Sequence, residues 1–100
     1  MANNDSESNI ELPSVNIWKN LARISISEDK PIMLDYWIDS LSKDVSIGVK
    51  TETNEKMLVK SAEEYTSPIS KIFKIDDCYI ICTENSIYLT KNTIPTKKIV

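Results

Sequence analysis

Four sets of side chains in this 100-residue sequence have types and spacings that chemistry could use: Asp35 with Asp39, Glu63 beside Glu64, Asp76 beside Asp77, and Cys78 with Cys82. Paired carboxylates can divide the acid and base roles of glycosidase-type catalysis, but only across a cleft deep enough to hold a sugar, and a chain this short rarely builds one. Asp76-Asp77 therefore reads as a turn and Glu63-Glu64 as a solvated loop. Asp35 and Asp39 stand as candidates for meeting a basic partner group or a cation, against ordinary solvent exposure. The two cysteines, four apart in an apolar run, would share one strand face about 13 Å apart at ~3.3 Å per residue. Disulfide Cα atoms lie within roughly 7 Å, so the pair reads as two small buried hydrophobes.

The sequence has no histidine, which removes Ser-His-Asp and Cys-His catalysis and every histidine-containing zinc site. Two cysteines cannot complete a four-cysteine site, and a single glycine cannot make a glycine-rich phosphate loop. No catalytic, cofactor-binding or metal-binding residue is assigned, and the chain is expected not to be an enzyme.

Aromatic residues offer a different chemistry. Trp18, Tyr36, Trp37, Tyr65, Tyr79 and Tyr88 could stack bases of single-stranded nucleic acid if interleaved with Lys71, Lys74 and Lys91, and the contact set read from this pattern is Lys71, Lys74, Tyr79, Tyr88 and Lys91. Core packing is the competing reading. Net charge weighs against nucleic acid: it is −3, with five Lys/Arg against ten Asp/Glu in residues 1–55 and seven against five in residues 56–100. Phosphate neutralisation normally calls for a concentrated basic surface.

These residues must be positioned by a small β-rich domain. The clearest run is Tyr65 to Thr90, three alternating apolar segments punctuated by Asp76-Asp77 and Glu84-Asn85. Two-residue connections of this kind are hairpin turns, because Asp and Asn tolerate the positive φ that such turns need. Cys78, Ile80 and Cys82 on one face, with Tyr79, Ile81 and Thr83 on the other, mark a central strand. Upstream, Val45 to Lys50 and Lys56 to Lys60 read as a hairpin with Gly48 inside a strand, which predicts a bend or an aromatic lying over it.

Between Pro31 and Leu41, alternation of Ile32, Leu34, Tyr36 and Ile38 predicts a strand with both aspartates on its other face, although helical spacing also fits. Val15, Trp18, Leu21, Ala22 and Ser25 recur at three- and four-residue spacing after Pro13 and a potential Ser14 N-cap, predicting a short helix over Val15–Ile26. A strand through Ala22–Ile26 is the competing pattern. Residues 1–13 read as a disordered tail, residues 14–90 as one domain and residues 91–100 as a loosely ordered tail. The expected fold is mainly β (α+β): a short N-terminal helix followed by about six short antiparallel strands in a small, partly open barrel or curved sheet.

The phrases EDKPIMLDYW, VSIGVK, EKMLVKSAEEYTSPISKI and YIICTENSIYLT resemble a small protein family of nucleocytoplasmic large DNA viruses, over roughly Ile24 to Thr90. The resemblance implies a viral, intracellular setting, in the cytoplasm of an infected host cell or in the virion, and carries over no activity and no site residues. No apolar stretch approaches the ~20 residues that span a bilayer, and the N-terminus has no secretory pattern, so no membrane is expected. The function expected is therefore a non-enzymatic protein–protein interaction module, a viral accessory or virion-associated protein, with a homodimer as one form of contact. Its candidate contacts are Trp18, Leu21, Asp35, Trp37 and Asp39. A nucleic-acid-binding barrel acting in viral transcription or genome packaging is the alternative.

Overall fold

The computed structural model describes residues 11–99. The first ten residues of the expected tail lie outside the described residues.

Helix α1 (Val15–Glu28) starts where Ser14 Oγ accepts the Ile17 N–H at 3.2 Å, and it ends where Asp29 takes a left-handed conformation at φ 57°. A short polar side chain tolerates that conformation, so the helix runs one half-turn past the expected Ile26 before the chain reverses. Ile17, Leu21 and Ile24 recur on its inner side and pack on a β-sheet.

The expected strand from Pro31 to Leu41 splits. Only β1 (Ile32–Met33) is extended, and Trp37–Leu41 forms a short helix, α2. Trp37 and Ser40 are buried at helical spacing. Ser40 Oγ donates to the Trp37 carbonyl at 2.6 Å and accepts the Lys91 N–H at 3.0 Å, which fixes α2 against the end of a strand. That tertiary bond selects the helical reading of a pattern that fits both periods.

The hairpin of β2 (Ser46–Lys50) and β3 (Lys56–Val59) forms as expected. The meander of β4 (Ile69–Ile75), β5 (Cys78–Thr83) and β6 (Ile87–Lys91) also forms, with Ile75 opposite Cys78, and with Thr83 N–H donating to the Ser86 carbonyl at 2.9 Å beyond the Cys82–Ile87 pair, so Asp76-Asp77 and Glu84-Asn85 are the two turns. Asp76 supplies the positive φ of the first, at 52°. In the second, Thr83 Oγ1 accepts the N–H groups of Asn85 and Ser86 at 3.3 and 3.1 Å. A register irregularity between Ile69 and Lys71 bends the start of β4.

The C-terminal segment is not loose. Thr96–Ile99 forms β7, parallel to β2, with Ile47 N–H donating to the Pro95 carbonyl at 2.9 Å. Ile94, buried just before it, anchors the segment in the core. A short, lysine-rich strand buries little of itself, so its local composition looks like a tail.

Among the described residues, seven strands thus build two separate sheets, ordered β1-β6-β5-β4 and β3-β2-β7. They are mixed sheets, because β1 pairs with β6 and β2 with β7 in parallel, and they do not close into a barrel. The four-stranded sheet carries a core on each face. Cys78, Ile80, Cys82, Ile87 and Leu89 meet α1 and Trp37 on one side. On the other, Ile81, Tyr79 and Tyr88 meet Val45, Ile47, Leu58 and Tyr36. The central position expected for β5 follows from this two-sided burial. Among the described residues, no helix is long and apolar enough to cross a membrane.

Candidate interaction surfaces

The chemistry-bearing residues are distributed by this layering. Asp35 lies exposed in the turn before α2, while Asp39, on α2, pairs with Lys60 at 3.2 Å, so the two aspartates do not share a strand face. Lys60 also lies 3.5 Å from Glu64 and 4.6 Å from the centroid of the Tyr36 ring, which in turn meets Tyr88 edge-on at 5.3 Å. Burial, followed by the nearby Glu64 carboxylate, pushes the Tyr36 phenol up to about 12. Asp39 and Glu64 are thus occupied by an internal cation. Among the described residues, no three Cys, Asp or Glu side chains converge as metal ligands.

The stacking platform is not brought together. Tyr79 and Tyr88 are packed between the sheets, whereas Lys71 and Lys91 project from the face that carries α1. Lys71 pairs with Glu28 at 2.9 Å, and Lys91 pairs with Asp77 at 2.6 Å and Glu11 at 2.9 Å while lying 5.6 Å from the Trp37 ring. Of the five lysine and tyrosine candidates, Lys74 is the exposed one with no carboxylate partner among the described residues. Trp37 is buried, and its indole N–H donates to the Glu11 carbonyl at 2.8 Å, which straps the chain before α1 to the domain. Residues 11–13, expected in the tail, are held there by these contacts. Both thiols are buried and free, and burial pushes Cys78 up to about 12 and Cys82 upward as well, so neither is an activated nucleophile.

Among the described residues, two open surfaces carry groups suited to contact. The first is the outer side of α1. Leu21, expected as a contact, is fully buried in the core instead, because it shares the inner side with Ile17. The outer side carries Val15, Trp18, Ala22 and Ile26 at three- and four-residue spacing, with exposures of 76% for Val15, 38% for Trp18 and 81% for Ile26. Residues so spaced form one stripe along a helix.

The second surface is the outer face of the three-stranded sheet, which holds an open groove of about 500 Å³. Its floor is made by Met57, Val59 and Ile99, and Tyr65, 58% exposed, forms a wall. Lys50, Lys97 and Lys98 rim it, and among the described residues no carboxylate lines it. The sequence reading found none of this as a site. Its signals were Gly48 inside a strand and the Lys97-Lys98 pair, and they meet only because β7 lies beside β2. The side chain lying over Gly48 is Ile99, where an aromatic or a bend was expected.

Comparison of the chain with family models, curated proteins and solved structures finds no match in any of the three.

Proposed function

We propose that the chain is a non-enzymatic interaction module that self-associates through the outer stripe of α1. The observation that carries this reading is the apolar line Val15, Trp18, Ala22 and Ile26 on a helix whose opposite side is already packed. Scattered exposed hydrophobes are ordinary, but a stripe at helical spacing is what a second helix recognises. An antiparallel pair centred on Ala22 places Trp18 against Ile26 of the second copy. Such a two-fold contact is self-complementary. Fourteen helical residues extend only about 21 Å, so the contact falls below the ~1,200 Å² of a standard interface and the dimer is weak.

The resemblance to the family of large DNA viruses supports an accessory or virion-associated role inside an infected cell. Sedimentation velocity over a concentration series tests the association. Wild type should shift toward dimer as concentration rises, and Trp18→Asp and Ile26→Lys should each stay monomeric while keeping wild-type circular dichroism. A monomer at every concentration would remove the proposal.

A further inference from the structure

We infer that the open edge of β7 accepts an extended, acidic segment of a partner protein as an added strand. This surface lies on the outer sheet, apart from α1, and goes beyond self-association.

Three independent features converge on it. The first is an open edge: β7 is the last strand of the sheet order β3-β2-β7. Ile47 N–H bonds to the Pro95 carbonyl and Ile47 lies in register with Thr96, so in a parallel ladder it is Lys97 and Ile99 that turn their backbone groups toward β2. The backbone groups of Thr96 and Lys98 therefore face outward, as strand addition requires.

The second is the apolar floor. The absence of a side chain on Gly48 lets Ile99 lie flat across β2, where a Cβ would collide with its Cδ1 and come within 3.0 Å of Val59 Cγ2. Ile99 is the apolar residue that the edge strand itself presents, and Met57 and Val59, on β3, continue the apolar face across β2. In an added strand, alternate side chains fall beside Lys97 and Ile99 on the groove face and beside Thr96 and Lys98 on the opposite face. The residue beside Ile99 should be apolar, and carboxylates should lie in reach of Lys97 and Lys98.

The third is charge. Lys50, Lys97 and Lys98 are exposed, and none has a carboxylate partner among the described residues. Lysines on an edge oppose pairing with a second β7, because like charges would then face each other across the new ladder. They favour a strand carrying carboxylates. The occupant is thus an acidic segment of another protein, not a second copy of this sheet.

The test uses the full chain and a labelled eight-residue peptide alternating valine with glutamate, with a lysine-for-glutamate peptide as control. Fluorescence anisotropy should show binding of the acidic peptide that weakens with salt, and no binding of the basic one. Lys97→Glu with Lys98→Glu should weaken it at least tenfold. Thr96→Pro, which changes no charge and removes an outward N–H, should also weaken it, while the Trp18→Asp variant binds as wild type. Amide shifts in labelled protein should centre on Thr96, Lys98 and Ile99. No binding at millimolar peptide, equal binding of both peptides, insensitivity to Thr96→Pro, or shifts centred on α1 would each overturn the inference. So would lysine-dependent binding of a single-stranded oligonucleotide tighter than that of the peptide, or dissociation of a dimer by the double lysine variant.

Discussion

Ile99 occupies the space that a Cβ on Gly48 would need, and this contact joins the C-terminal strand to the middle of the outer sheet. Gly48→Ala should therefore destabilise the domain by about 1–3 kcal/mol, the usual cost of forcing extra volume into a packed site. Urea unfolding should show a lower midpoint with little change in slope. Ile99→Ala in the same background should recover part of the loss, because it removes the obstructing side chain. An unchanged midpoint in Gly48→Ala would mean that β7 does not pack on β2 as described.

Thr90 sits fully buried on β6, and its Oγ1 has no hydrogen-bond partner among the described residues. Thr90→Val keeps the shape and removes the unpaired hydroxyl, so it should stabilise the fold by about 1 kcal/mol. Thermal unfolding would report this as a rise of roughly 4–8 °C. A fall in stability would show that the hydroxyl is satisfied by bound water.

Alkali should weaken the fold through three buried groups. Burial raises Cys78 from 9.0 to about 12, with Asp77 adding to it, and raises Tyr36 from 10.0 to about 12; Cys82 is raised in the same direction. All three are neutral in the folded state and ionise more readily unfolded. Their stabilisation is fully present below the unfolded values and is lost as pH rises from about 9 through about 12. Native protein near neutral pH should leave both thiols unreactive to a disulfide reagent, and both should react in urea. Tyr36 phenolate absorbance should appear together with unfolding.

Acid should act through exposed ion pairs. The Lys71 hydrogen bond and charge hold Glu28 below the usual carboxylate value of 4.5, and the Lys91 hydrogen bond, followed by that of the Cys78 thiol, holds Asp77 below 3.8. The unfolded chain therefore binds protons first. The stabilisation is present above these values and is lost as pH falls below about 4. Lys71→Gln should flatten the acid limb of a stability–pH profile at Glu28, and salt should have the same effect because the pairs are exposed. A carboxylate titration by NMR that leaves Glu28 unmoved in Lys71→Gln would contradict the pairing.

The elements that local pattern could reach were the ones whose turns are written in the chain. Asp76-Asp77 and Glu84-Asn85 set two tight connections, and the alternation of Cys78 to Thr83 predicted a strand with a core on both faces. Ser14 and the spacing of Val15, Trp18, Leu21, Ala22 and Ser25 likewise predicted α1. The segment from Pro31 to Leu41 failed because its residues satisfy two periods at once, and the choice was made by Ser40 bonding to the distant Lys91. The same gap explains Leu21 and Trp37: their types suit a contact surface or a core, and only the neighbours they meet decide between these.

Sequence by itself determined a β-rich chain with an N-terminal helix, the absence of histidine and of a glycine-rich loop, and a central two-faced strand, because each of these is carried by composition or by residues within one turn or strand. The tertiary structure alone decided that β7 runs parallel to β2, that two sheets stack without closing, and that Lys50, Lys97 and Lys98 surround one apolar groove. Parallel pairing joins residues some fifty positions apart whose local sequence encodes no preference for each other. What selects it is the shared burial of Ile94 and Ile47 and the fit of Ile99 over Gly48, contacts that exist only once the chain has folded.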